Sequence, residues 1–216
     1  MNELVLATNN KDKVREFREM LRHSGLDLSV LCLADFPGLP PVPENGRTFS
    51  ENAAKKALFA AQATGKLALG DDSGIEVDAL AGRPGIHSAR FAGERATGKE
   101  NNEKLLALLR DVPERRRQAR FACFIALANP EKIIDIAEGN CAGTIVMKPR
   151  GSGGFGYDPL FQPIEYHKTF AELSPSIKNR ISHRARALEK ALMMLEKYLY
   201  KAEAECAGDP RDGVSA

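Results

Sequence analysis

The chain has no tryptophan, only four cysteines and no surplus of either charge. It also has no long apolar run. Its longest strictly apolar stretch, Phe121 to Ala128, is eight residues, against the ~20 that a membrane-spanning helix needs. The balance of 31 Lys+Arg against 29 Asp+Glu excludes a uniformly basic nucleic-acid coat or an acidic disordered tail as the main function. Met1-Asn2-Glu3-Leu4 carries neither a basic n-region nor an apolar h-region, so no secretory signal is expected and the protein reads as cytoplasmic. Cys32, Cys123, Cys141 and Cys206 form no C-x-x-C pair. The first three lie in apolar or strand-like stretches, which points to reduced core thiols rather than disulfides or zinc. No G-x-x-x-x-G-K-[ST] occurs, which removes a Walker-type ATPase.

What is present is 216 residues with 43% apolar side chains, enough for one large domain or two intimate lobes. A chain of this size buries about 70% of its unfolded surface and folds without staples. Leu4-Val5-Leu6-Ala7 reads as a buried strand, followed by the polar Thr8-Asn9-Asn10-Lys11 and then by Val14, Phe17 and Leu21 at helical spacing. That is the opening of an α/β unit. A second helix is expected from an N-cap at Ser50 to Gly65, with Ala54, Ala57, Leu58 and Ala61 as its apolar face. Leu67-Ala68-Leu69 and Ile75-Glu76-Val77 read as strands on either side of Asp71-Asp72-Ser73-Gly74. Thr97-Gly98-Lys99-Glu100 is a capping box opening a helix that Pro113 stops. Ala119–Ala128 and Ile133–Val146 read as strands joined at Asn129-Pro130-Glu131-Lys132, and a last helix follows Ser182. The class is α/β: a single domain over residues 1–199, then a tail over 200–216 that reads as frayed or disordered.

Several segments carry chemistry. Thr8-Asn9-Asn10-Lys11-Asp12-Lys13 sits where a strand meets a helix, and free N–H groups, the helix dipole and two lysines there favour an anion. The plain alternative is an Asn-rich turn with a helix cap. Asp71 and Asp72 are adjacent acids after an apolar strand, and like charges ~4 Å apart repel by about 4 kcal/mol at an effective dielectric of 20. A divalent cation would reverse that penalty; a solvated turn is the alternative. Extended neighbours point to opposite faces, so one of the two is expected to face a site. Gly151-Ser152-Gly153-Gly154-Phe155-Gly156 formally matches G-x-G-x-x-G, but Asp158-Pro159 follows instead of a helix, so the dinucleotide reading fails. The segment is left as a flexible presenter of Phe155, Tyr157 and Asp158, or as a glycine hairpin with a packed Phe. Lys178 and Ser182-His183-Arg184 place cations at a helix start, and Arg offers a fork for phosphate or a purine edge. Glu44, in a Pro-rich loop, is free to reach a metal, while Glu51 complements a helix dipole. Arg115-Arg116-Arg117 with Arg120 is either a solvated loop or an RNA contact. Acids for a hard metal, lysines for phosphates, and aromatics with Arg for a base together suggest a nucleoside triphosphate.

The chain resembles the inosine/xanthosine triphosphate pyrophosphatase family. The resemblance runs from Leu4 to about Leu199 and rests on Thr8-Asn9-Asn10-Lys11, Thr48-Phe49-Ser50-Glu51-Asn52-Ala53, Asp71-Asp72-Ser73-Gly74, Gly82-Arg83-Pro84-Gly85, Gly153-Gly154-Phe155-Gly156-Tyr157-Asp158 and Ile181-Ser182-His183-Arg184. It implies a two-lobed fold around a long curved mixed sheet flanked by helices, an active-site cleft between the lobes, and a homodimer. It further implies Mg2+-dependent cleavage between the α- and β-phosphates of ITP, dITP or XTP. Carried over by position, Thr8, Asn9, Asn10, Lys11, Asp12 and Lys13 would hold phosphates. Glu44 and Asp72 would serve the metal, with Asp72 also the general base, and Ser73 would touch the substrate. Phe155, Gly156, Tyr157, Asp158, Lys178, His183 and Arg184 would hold the nucleotide, with His183 and Arg184 toward the base. Pro40-Pro41-Val42-Pro43 lacks a second acid beside Glu44, so Asp71 or Glu51 stands as an alternative ligand. The rival readings are a pyrophosphatase for modified pyrimidines, a nucleotide sensor without turnover, and RNA binding through Arg115 to Arg120. No stable nucleic-acid partner and no membrane are expected.

Overall fold

The period-two alternation expected of strands is visible in how β4 (Gln118–Ala128) divides its side chains. Cys123, Ile125 and Leu127 join one buried cluster, and Ala126 and Ala128 join another on the opposite face. The computed structural model describes residues 2–206 apart from His23, Pro41 and Pro43. Among these, β1 (Asn2–Leu6), β2 (Leu28–Cys32), β3 (Leu67–Val77), β4, β5 (Ile133–Ile145) and β6 (Phe161–Pro163) form one sheet in the order β2-β1-β3-β4-β5-β6. β1 runs parallel to β2 and β3, whereas β3-β4, β4-β5 and β5-β6 are antiparallel. The sheet is therefore mixed. Helices α1 (Lys11–Arg22), α2 (Phe49–Thr64), α3 (Gly98–Leu108), α4 (Pro175–Ile181) and α5 (His183–Cys206) flank it.

The two lobes share the long strands. Leu69 at the start of β3 packs with Phe17, Ile125 and Leu195, while Ile75 and Val77 at its end pack with Leu105, Phe161 and Phe170. Asp71-Asp72-Ser73-Gly74 lies at this changeover, extended as the expectation of one acid facing a site requires, and is not the alternative solvated turn. β3 is continuous, with Asp71 registered against Ile125 and Gly74 against Ala122. Both carboxylates remain within a strand because cations from other elements replace the water a turn would have provided.

Two close approaches set the helices on the sheet. A Cβ at Gly70 would lie 2.2 Å from the Ala53 carbonyl oxygen, and one at Gly139 would lie 2.2 Å from that of His183. Glycine at these positions lets α2 and the start of α5 lie against the strands. α2 begins two residues earlier than expected: Thr48, not Ser50, is its N-cap and accepts from the Glu51 amide at 3.1 Å. Its buried face is Ala53, Ala57, Ala60 and Ala61, with Ala54 and Leu58 only half-buried, and this rotation carries Asn52 and Lys56 inward. The capping box at Thr97 forms, but α3 ends well before Pro113. Buried Arg117 stops it, donating to the Leu109 and Val112 carbonyls at 2.6 and 2.9 Å. Arg117 thus lies inside and Arg120 pairs with Glu76 at 2.5 Å, so only Arg115 and Arg116 of the basic run are exposed without an ion pair to the strands. Ser182 does cap α5, accepting from the Ala185 amide at 3.2 Å. α5 continues past Leu199 to Cys206, and the remainder of the expected tail, 207–216, lies outside the described residues. Cys32, Cys123 and Cys141 are buried free thiols, and no helix among the described residues is long and apolar enough to cross a membrane.

Candidate active site

A cleft of about 650 Å³ opens at the junction of the lobes. Thr8, Asn9, Asn10, Asp12, Lys13, Glu44, Asp72, Ser73, the Phe155–Asp158 segment, Lys178, His183 and Arg184 all line it. Lys11 does not. The first turn of α1 rotates it into a separate depression with Arg15, Arg18 and Arg22.

One end of the cleft is the β1–α1 junction. The Asn10 side chain caps α1, accepting from the amides of Asp12 and Lys13 at 3.0 and 3.2 Å, and the Asn10 amide donates to Thr8 Oγ1 at 3.1 Å. This cap satisfies two of the helix's free donors and aims the positive end of α1 at the cleft.

The middle is β3, where alternation sends the two acids apart as expected. Asp71 turns away from the cleft to Lys13 and Arg184 and accepts from the Cys123 thiol at 3.4 Å. Burial works to raise its pKa, but Lys13 and Arg184 outweigh that and hold the carboxyl well below the usual range. Asp72 faces the cleft. Lys56 donates to its Oδ1 at 2.8 Å and Asn52 to its Oδ2 at 3.1 Å. Burial lifts the Asp72 carboxyl above the ordinary aspartate value, with Lys56 opposing. The Lys56 ammonium also meets Glu44 Oε1 at 2.6 Å, so Glu44 and Asp72 converge on one cation position. Burial raises and Lys56 lowers the Glu44 carboxyl, and the net shift is downward. No group of three or more His, Cys, Asp or Glu side chains suited to a metal occurs among the described residues. Two convergent acids nevertheless match the one or two carboxylates with which Mg2+ is usually held beside substrate phosphates.

A buried charge network runs from α1 to α4 and α5 along the rest of the lining. Lys178 Nζ donates to Asp158 at 2.6 Å and to Glu16 at 2.7 Å. Arg184 pairs with Glu16 through one terminal nitrogen and donates to Ser73 Oγ at 3.1 Å through the other. The Phe155 ring covers both cations, with Lys178 Nζ 4.7 Å and the Arg184 guanidinium carbon 5.5 Å from its centroid. His183 stacks on Phe121 at 4.5 Å and 9°. Burial first, then Arg184 and Lys178, push its imidazole well below 6.5, so it is neutral, and its Nδ1 has no hydrogen-bond partner. Of the two aromatics expected to grip a ring, Tyr157 is committed elsewhere: its hydroxyl donates to the Ser88 carbonyl at 2.9 Å. Phe155 remains free to stack.

Glu16, Asn52, Lys56 and Phe121 were not among the candidate site residues read from the sequence, although Asn52 stands in the Thr48–Ala53 segment that carries the resemblance. Asn52 and Lys56 carry a faint signal, an i, i+4 polar pair at the edge of an apolar helix face. Glu16 carries none, because α4 and α5 bury it from more than 160 residues away.

The Ham1 family model matches residues 4–194. This chain belongs to the Ham1 family. Among its relatives, the dITP/XTP pyrophosphatase of Desulforamulus reducens is 55% identical over 90% of this chain and 96% of that protein. The dITP/XTP pyrophosphatase of Geobacter sulfurreducens is 52% identical over 87% and 94%. The solved HAM1 protein of Coxiella burnetii superposes with a TM-score of 0.82 at 42% identity, covering 91% of this chain and 100% of that one. The Staphylococcus aureus Ham1 protein gives 0.80 at 39% identity, covering 91% and 100%. The curled mixed sheet with flanking helices is thus the Ham1 architecture.

Proposed function

We propose that this Ham1-family chain is a hydrolase that cleaves dITP, ITP and XTP between the α- and β-phosphates, giving the monophosphate and pyrophosphate and clearing these nucleotides from the pool. The observation that carries the reading is the company kept in one cleft: the capped α1 terminus and Lys13 for phosphates, Asp72 facing the opening, and Phe155, His183 and Arg184 for a base. A triphosphate laid along it with its base against Phe155 brings the phosphate chain past Asp72. The names of the relatives support the same reaction.

Asp72 is the general base. Its two oxygens each carry one donor, which fixes the carboxylate plane and leaves lone pairs toward the cleft to take a proton from the attacking water. A carboxyl raised by burial is a stronger base than a solvated one, whereas Asp71, held well below the usual range, is a fixed anion. Lys13, the Asn10 cap region and Lys56 position the phosphates. Glu44 and Asp72 would hold Mg2+, which when bound draws negative charge from the leaving pyrophosphate. Ser73 Oγ, already tied to Arg184, sits beside the reacting end.

Selectivity follows from hydrogen-bond pairing at the purine 6-position. An N–H beside the base, from Arg184 or from the backbone, donates to a 6-oxo group and leaves the 6-amino group of adenine mispaired. An unpaired buried polar group costs about 1–3 kcal/mol, roughly ten- to hundredfold per contact. The same reading takes the enzyme as a cytoplasmic homodimer, which sedimentation at micromolar concentration tests.

The experiment is pyrophosphate release from dITP, XTP, dATP, dGTP and dUTP, each with and without Mg2+. Release from dITP and XTP at least tenfold faster than from dATP, and lost without the metal, is expected. Release from dUTP in preference would overturn the base pocket but not the phosphate chemistry. Nucleotide binding with no release would reduce the protein to a sensor.

A further inference from the structure

Asp72 and Glu44 belong to segments far apart in the chain, a mid-sheet strand and a proline-rich loop, yet they converge on one point of the cleft. The side chain common to both segments, besides Lys56, is Asn52. It is 1% exposed, and its amide is used in both directions. Nδ2 donates to Asp72 Oδ2 at 3.1 Å, and Oδ1 accepts from the Gly46 amide at 2.7 Å, two residues after Glu44. The position is tight: a Cβ at Gly46 would lie 2.5 Å from Asn52 Oδ1. Asn52 and Lys56 lie one helical turn apart on α2, so a single rigid face supplies one donor to each oxygen of Asp72. Gly70 presses that face onto β3 two residues before Asp72.

We infer that Asn52 is a positioning residue for the hydrolysis. Its donated hydrogen bond sets the rotation of the Asp72 carboxylate, and its accepted one fixes how far the Glu44 loop stands from it. Only a primary amide of this length does both. A lone Lys56 would hold one oxygen and let the carboxylate turn about its Cβ–Cγ bond, with both Asp72 and the loop sampling unproductive positions. The inference rests on the proposed pyrophosphatase reaction and deepens it.

Two substitutions separate the roles. Asn52→Asp keeps the size and the acceptor for Gly46 but removes the donor to Asp72; Asn52→Ala removes both. Steady-state kinetics on dITP with saturating Mg2+, nucleotide affinity by calorimetry with dITP in EDTA, and thermal melting are measured for each beside the unmodified enzyme. For Asn52→Asp, kcat is expected to fall about ten- to hundredfold, the size of losing one hydrogen bond to a charged group. KM and the calorimetric affinity stay within about threefold, since the phosphate contacts are untouched. The second buried carboxylate repels Asp72, so melting falls further for Asn52→Asp than for Asn52→Ala. Asn52→Ala is expected to lose at least as much kcat. An Asn52→Asp enzyme with kcat within about threefold of the unmodified one overturns the inference, because the loop tie alone would then suffice. So does a parallel loss of kcat, affinity and melting temperature in both variants, which marks Asn52 as merely structural. If the unmodified enzyme releases no pyrophosphate, the proposed function fails instead, and that result is read before either variant.

Discussion

Replacing Glu16 with Gln tests whether the charge network at the base end holds the lobes together. Glu16 lies on α1, Lys178 on α4 and Arg184 on α5, and Glu16 accepts from Lys178 at 2.7 Å and from Arg184. At an effective dielectric of 20, each contact near 3 Å is worth about 5 kcal/mol before desolvation. Removing one partner of a buried pair costs about 3–5 kcal/mol, because the other charges stay buried. Here Lys178 keeps Asp158 at 2.6 Å and Arg184 keeps Asp71 at 3.6 Å, which places Glu16→Gln at the lower end. A loss of about 3 kcal/mol lowers the melting temperature of a chain this long by about 6–12 °C. Scanning calorimetry reads this directly. The pH dependence supplies a sign. Burial raises the Glu16 carboxyl, but Arg184 and Lys178 bring it net below 4.5. A carboxyl depressed in the fold adds stability that is complete above its unfolded value and vanishes as pH falls through the folded one. The gap between the two proteins is therefore constant from about pH 7 to about 5 and closes in stronger acid. A shift under about 2 °C at neutral pH, or a gap that widens with acid, would refute the reasoning.

Three further outcomes are expected. Gly139→Ala drives a Cβ to within 2.2 Å of the His183 carbonyl oxygen and 2.3 Å of the Ala187 nitrogen, so it melts lower by about 1–3 kcal/mol or more and loses dITP hydrolysis. An unchanged melt with full activity would show that α5 can shift freely. His183 is neutral in the fold, where burial, Arg184 and Lys178 outweigh Asp71, and takes a proton near 6.5 when unfolded. Stability thus falls with acid below that pH by about 1.4 kcal/mol per unit, a slope that urea denaturation should find absent in His183→Phe. Asp72→Asn is expected to lose most of kcat while melting near the parent. Asp71→Asn, which takes the paired acid from half-buried Lys13 and leaves Arg184 with Glu16 alone, should melt lower; identical behaviour of the two would contradict the split between them.

The polar junctions were legible. Thr8–Lys13, Glu44, Asp72 and Phe155–Asp158 interrupt apolar periodicity with chemistry that a core does not tolerate, and the fold brings all but Lys11 to one cleft. Lys11, expected at the phosphates, points to another depression because residues three or four apart share a helix face while Lys11 and Lys13 do not. Composition left a solvated turn open at Asp71–Gly74 beside the extended reading, since local sequence contains nothing of Lys13, Lys56 or Arg184, which make a strand tolerable there. The rotation of α2 has the same origin. An Ala-rich helix has no steep apolar gradient, and its orientation is decided by the bare backbone at Gly70. Arg117 looked like part of a solvated charge run, yet its two donors serve the frayed end of α3, a need that no residue-type pattern announces.

The charges at the junction bear on how a polyanion could bind there. Glu16, Asp71 and Asp158 are matched by Lys13, Lys178 and Arg184, and Glu44 and Asp72 by Lys56 and Arg90. The protein alone is therefore balanced at its centre, and a triphosphate entering this cleft brings negative charge that its side chains have already answered among themselves. Binding needs either displacement of a carboxylate from its cation or an added cation. Glu44 is the acid best placed to yield: it is the most exposed of the five, and it shares Lys56 with Asp72. A divalent ion taken up between Glu44 and Asp72 would answer their charge and release Lys56 toward the phosphates, so that one exchange offsets part of the substrate's charge and frees a lysine to hold it.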